Sequence, residues 1–346
     1  MEITREIFDQ QRRPRFGNAN PERMQFAFWE WMVRAALGAR TDGADEDDGV
    51  VMRDGMLQST HGPFRARNLF NIPLNREEGP IWTFDRMGAT RNQLPDGPVI
   101  YIGGEHEDFY HPDFCIYNDV VVSSANDEIS IYGFPKEVFP PTDFHTTTLT
   151  ERQLIIIGGL GYKNERIFGH TPVYALNQSD FHIEKIETSG EHPGWIHKHE
   201  AQIDEAGIIT IRGGKIVREY QGRQSFISNI EEYTLDLSSR SWRRKTDRQW
   251  YQAKICRDDK AAFPVKPYSK AESLLPQTIP FMVVECHWRD ARILIEKVEV
   301  SITVGTFDIE IVVRGRLPED LLTRLSEEVQ MNAQALMNCK CSIQVL

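Results

Sequence analysis

The 346-residue chain has 40% hydrophobic and 26% charged residues, which excludes a disordered chain and leaves room for two or three domains. Its formal net charge of −11 disfavours nucleic-acid phosphates, so no nucleic-acid partner is expected and a basic protein partner is compatible. The opening Met1-Glu-Ile-Thr-Arg-Glu has no signal-peptide core and no run reaches the length of a membrane span, so the expectation is a cytoplasmic protein without membrane attachment.

Residues 1–80 read as a helical and irregular N-terminal segment. Asn20-Pro-Glu supplies a cap and a first-turn proline, and Gly38 a stop, for a helix with Met24, Phe28, Trp31, Met32 and Ala35 on one stripe. Phe26, Trp29, Val33 and Leu37 form a second stripe, so this helix is expected to be buried. Thr41-Asp-Gly-Ala-Asp-Glu-Asp-Asp-Gly49 lacks the ligand alternation of a calcium loop and reads as a solvated acidic loop. Residues 50–80 are weakly patterned and suit an imperfect blade.

Residues 81–247 repeat. Pro98-Val-Ile-Tyr-Ile-Gly-Gly104, Leu154-Ile-Ile-Ile-Gly-Gly159 and Gly207-Ile-Ile-Thr-Ile-Arg-Gly-Gly214 place the first glycines at 103, 158 and 213, so both intervals are 55 residues. Each run is a strand ended by glycines that tolerate positive φ or close backbone approach. Flanking candidates bring every period to four strands: 88–94, 115–122 and 128–132 in the first; 145–149, 172–176 and 181–186 in the second; 199–203, 232–237 and 241–246 in the third.

A small or His residue opens the first strand (Gly88, His145, His199), a Tyr marks the third (Tyr117, Tyr174, Tyr233), and an aromatic marks the fourth (Tyr132, Phe181, Trp242). With the glycine pair closing the second strand, residues 81–247 resemble the kelch-repeat family. The resemblance implies a mainly β fold: a kelch-like β-propeller or partial propeller, with the N-terminal helical segment and a small C-terminal α+β unit attached. It leaves function open, since the same fold resembles protein-binding modules, a copper oxidase, sugar epimerases and iron-dependent specifier proteins. Three repeats fall short of the about four to eight blades of a closed ring. Flanking segments or another subunit are therefore expected to complete it, and an open blade edge offers a route to oligomerisation.

Arg257-Asp-Asp-Lys and the prolines at 264, 267 and 276 mark 248–278 as a linker. Residues 279–346 then read as an α+β unit. It has a strand at 279–285, a hairpin of Lys297–Val304 and Phe307–Val313, a helix opened by Pro318, and a closing strand at 341–346. Five scattered cysteines do not form a disulfide framework, and Cys339-Lys-Cys341 reads as two thiols on one face of the last strand.

Loops between strands two and three, and those joining blades, fall on one end of such an array. Glu107, Asp108, Phe109, Tyr110, Tyr162, Arg166 and Trp195 lie in these loops. They are the expected contacts to a protein partner, because aromatic and Arg side chains anchor interfaces. The alternative is a metal-dependent enzyme using His106, His111, Asp113, His145 and His199 from the same face, with Glu107, Asp108, Asp143 and His197 as further donors, a set that suits zinc or non-haem iron. No His-Glu-x-x-His, nucleophile elbow, phosphate loop or dinucleotide motif is present. No cofactor is expected, and binding is the favoured function.

Overall fold

The computed structural model describes residues 3–41, 50–53, 56–59, 70, 79–106, 114–124, 126, 128–220, 222–263 and 271–346. The chain is mainly β, with helices near both ends. It forms two compact units, Met1–Gly214 with Thr234–Arg243, and Lys215–Tyr233 with Arg244–Leu346.

The first unit opens with α1 (Arg5–Gln11), β1 (Glu22–Arg23), α2 (Ala27–Thr41) and a hairpin of β2 (Val50–Arg53) and β3 (Met56–Ser59). Helix α2 starts six residues later than Asn20-Pro21 suggests, and it is capped differently. The Gln11 side chain accepts from Phe28 N (2.9 Å), while the Gln11 carbonyl accepts from Trp29 Nε1 (2.7 Å). Asn20 instead donates to Ile183 O (2.8 Å) and accepts from Ile183 N (3.0 Å), a backbone-like pairing made by a side chain. The N-terminal segment is thus part of the first unit's core. Trp29 stacks on Trp82 at 4.7 Å, and Phe28, Met32 and Val33 are buried with Val121, Ile129 and Ile131.

Three sheets follow. The first contains β4 (Thr90–Gln93) and β5 (Val99–Ile102), then, beyond a short ladder of β6 (Glu105–His106) and β7 (Cys115–Ile116), β8 (Val120–Ser123) and β9 (Ile129–Gly133). The second is β10 (Thr146–Leu149), β11 (Gln153–Ile157), β12 (Val173–Asn177) and β13 (Ile183–Lys185), antiparallel throughout. Before the third come β14 (Ser189–Gly190) and β15 (Trp195–His197), then β16 (Glu200–Ile203) and β17 (Ile208–Arg212). The chain leaves for β18 (Lys215–Tyr220) and β19 (Arg223–Ser228), and returns as β20 (Tyr233–Asp236) and β21 (Ser241–Arg244). Strand order is β16-β17-β20-β21, with β14 added beyond β21, as β1 is added beyond β9 in the first sheet.

Register makes the three glycine pairs equivalent. Thr90, Thr146 and Glu200 each pair with the residue just before the first glycine: Ile102, Ile157 and Arg212. All six glycines have positive φ. Register also corrects two matches. The residue equivalent to His145 and His199 is Ala89, not Gly88. Gly88 corresponds to Phe144 and Lys198, which share its left-handed backbone and form a chain of bonds: Phe144 N to Gly88 O and Lys198 N to Phe144 O, both 2.8 Å. Tyr174 pairs with Ile156, two residues before Gly158, so its counterpart is Val121, the partner of Tyr101; Tyr117 lies outside the strand altogether. The expected single strand 115–122 is broken there because Tyr117 turns into the core, its hydroxyl 3.3 Å from Thr83 N.

Ile100, Ile102, Val120, Leu154, Ile156 and Leu176 form a core between the first and second sheets, each contributing about 2 kcal/mol of apolar burial. Alternate residues of the first sheet face the helices instead, so this sheet is buried on both sides.

The second unit contains a six-stranded sheet, ordered β23-β24-β25-β26-β22-β27. Its strands are β22 (Gln252–Arg257), β23 (Met282–Cys286), β24 (Asp290–Ile295), β25 (Val298–Val304), β26 (Asp308–Arg314) and β27 (Cys341–Val345). Residues 252–257 of the expected linker therefore form an interior strand. The run Gln252-Ala-Lys-Ile-Cys256 is hard to recognise as a strand because Lys254 interrupts it, yet that lysine is buried and fully bonded. Its Nζ donates to Asp308 Oδ2 (2.6 Å), Phe226 O (2.8 Å) and Ser225 Oγ (2.5 Å). Helix α3 (Glu319–Met337) covers the opposite face with Leu325, Val329 and Ala333.

Candidate functional site

The candidate site is the end of the first unit where β5 and β11 finish in glycines. Gly103 N donates to Asp119 O (3.0 Å) and Gly158 N to Pro172 O (2.9 Å), which closes each loop within its own sheet. The second glycine of each pair reaches the next segment: Gly104 N donates to Thr142 O (2.8 Å), and Gly159 N to Ile196 O (2.9 Å). The loop backbones are thereby fixed where they leave the strands.

The loop beginning at Leu160 is braced further. Leu160 N donates to Asp143 O (2.8 Å) and Gly161 N to Asp143 Oδ1 (2.7 Å). Arg166 donates from Nε to Leu160 O and from Nη2 to Gly161 O, both 2.9 Å, and Trp195 Nε1 donates to Leu160 O (3.0 Å). Tyr162 accepts from Ile116 N (2.9 Å) and meets the edge of Phe114 at 5.8 Å, while Lys136 pairs with Glu165. The structure thus brings Tyr162, Arg166 and Trp195 together, and uses their polar atoms to hold backbone. Glu107, Asp108, Phe109, Tyr110, His111 and Asp113 lie outside the described residues, as do residues 42–49 of the acidic loop.

The histidines sit deeper. His145 Nε2 lies 3.1 Å from Thr90 Oγ1, and His199 Nε2 lies 2.8 Å from Thr146 Oγ1, so each links the start of one sheet to the first strand of the sheet before it. Burial pushes His145 down to about 3 and His199 down to about 4, leaving both neutral. His106 lies on β6, opposite Cys115. Among the described residues, no three of His, Cys, Asp and Glu are grouped to hold a metal.

Burial also raises Asp143, with Gly161 N and Arg166 pulling the other way, and lowers Arg166. It pushes the Cys115 thiol up to about 11 and the Tyr162 hydroxyl up to about 12, so both are protonated near neutrality and Cys115 is a poor nucleophile. These groups order the site.

Exposed beside polar Lys163 and Asn164 are four large apolar side chains of this end. Ile167 is 61% exposed, Met87 49%, Phe114 43% and Phe168 38%. Met87 pairs with Glu105 just after the first glycine pair, Phe114 packs on Tyr162, and Ile167 and Phe168 lie in the braced loop. Sequence reasoning passes over these four, because charged neighbours dominate their loops. The apolar pair Ile167-Phe168 within a polar loop is the signal that could have found them.

No family profile matches the chain, and no curated protein matches it. Among solved structures it is similar to one described as "Structure of YjhT", at 12% identity and a TM-score of 0.32. That match covers 68% of this chain and 66% of the other, so it spans a little under two thirds of that protein. The comparisons assign the chain to no family.

Proposed function

We propose that the first unit is a partial kelch-like β-propeller and that its braced loop end binds a protein partner. The observation that carries this is four large apolar side chains, Met87, Phe114, Ile167 and Phe168, left exposed on or beside backbone locked by Asp143, Arg166 and Trp195. Apolar side chains on a rigid frame bind without a large ordering cost. Tyr162 and Arg166, partly exposed in the same loop, extend the contact, and the net charge of −11 suits a basic partner. No helix among the described residues is long and apolar enough to cross a membrane, and we place the protein in the cytoplasm.

Replacing Ile167 and Phe168 with Asp tests this reading. Both side chains are more than one-third exposed, so the unfolding midpoint should stay unchanged. Loss of two apolar anchors should weaken the partner by about thirtyfold or more, read by quantitative cross-linking and mass spectrometry from the source cells. Val284→Asp, an exposed change in the second unit, is the control. Equal recovery of the same partners by wild type and the double variant would exclude this face.

A further inference from the structure

We infer that a cleft within the second unit binds a small oxyanion, a phosphate or carboxylate group, between Arg223 and Lys260. The cleft is shallow and open to solvent, with a volume of about 30 Å³ that matches a small anion rather than a larger ligand, and Ser225, Arg257, Phe307 and Asp308 also line it.

The charges around the cleft decide what it favours. Asp308 is matched by Lys254 at 2.6 Å, and Arg257 is matched by Asp259, with Nε to Oδ1 at 2.9 Å. Among the described residues, Arg223 and Lys260 have no carboxylate partner. Two cations without a carboxylate partner therefore line one cleft in a chain whose net charge is −11. Their backbone supports are defined as well. Arg223 opens β19, and its Nη1 donates to Lys260 O (2.6 Å) while its guanidinium lies 4.6 Å from the Phe307 ring centroid. Lys260 ends a turn closed by its own N bonding to Arg257 O (3.0 Å). The guanidinium is thus held beside the lysine's backbone before any ligand arrives, an arrangement that favours an oxygen-rich anion over a cation or a neutral apolar molecule. This site is independent of the loop face of the first unit.

Titration calorimetry of the full chain with inorganic phosphate, and separately with citrate as a carboxylate probe, tests the inference. Saturable binding of at least one probe is expected, weakened about tenfold by Arg223→Gln and by Lys260→Gln, because each variant removes one charge-assisted contact. Arg212→Gln, an exposed change in the first unit, should leave it unaltered. Both cleft residues are exposed, so unchanged unfolding midpoints will separate lost binding from lost fold. Tighter phosphate binding identifies a phosphorylated ligand, and tighter citrate binding a carboxylic acid. Failure of both probes to bind saturably, or binding that survives the double variant, overturns the site.

Discussion

Gly158→Ala is expected to destabilise the first unit by about 3 kcal/mol or more, whereas Gly213→Ala should cost only about 1 kcal/mol. The two positions occupy the same place in their sheets and have nearly the same backbone, with φ of 69° and 65°. A side chain at either pays the left-handed penalty. At Gly158, however, a Cβ would lie 2.3 Å from Ile196 O and 2.8 Å from His199 Cε1. Ile196 O is the acceptor for Gly159 N, so relieving the clash breaks the bond that fixes the next loop. At Gly213 nothing lies within 4 Å of the added carbon. Gly103→Ala should behave like Gly158→Ala, since its Cβ would meet Thr142 O at 2.3 Å. Denaturant unfolding of the three variants checks the ranking; equal losses at Gly158 and Gly213 would refute the close packing of successive segments.

Acidification should have a comparable effect. His145 and His199 are held neutral in the folded chain, down to about 3 and about 4, while in the unfolded chain they titrate near 6.5. Below about pH 6.5 the unfolded state therefore takes up protons that the folded state refuses. The stability these residues carry is complete above that pH and is lost progressively as pH falls towards the folded values. By pH 5 the loss is about 2 kcal/mol for each histidine. Asp143 works in the opposite sense, because burial raises its carboxyl and acid relieves that cost. The unfolding midpoint should drop between pH 7.5 and 5, and His199→Gln should remove about half of the drop. An unchanged pH dependence in both His199→Gln and His145→Gln would contradict their burial as neutral links between sheets.

The repeated glycine pairs were legible because a glycine is needed wherever a strand end passes within contact distance of the following segment, and the pairs recur every 55 residues. Alternation likewise revealed the β25–β26 hairpin and the following helix: β25 and the helix bury one face each, although β26 proves buried on both. Where polar atoms do the structural work, sequence was a poor guide. Lys254 looks like a surface residue but is a buried donor satisfied by partners 28 to 54 positions away. Gln11 rather than Asn20 meets the start of α2, and Trp195 bonds a loop carbonyl 35 residues earlier. At the candidate site the residue types expected for recognition are present, but Tyr162, Arg166 and Trp195 spend their polar atoms on the frame. The apolar side chains that protrude from it carry too little pattern to stand out.

Amide hydrogen exchange across residues 159–161 examines the rigidity of that frame most directly. Gly159 N, Leu160 N and Gly161 N all donate within the braced loop, to Ile196 O, Asp143 O and Asp143 Oδ1. Their exchange should be slowed to within about tenfold of Ile155 and Ile156 in β11. Exchange at the rate of an unstructured peptide would show that the loops are not held, and would remove the platform on which partner binding is proposed.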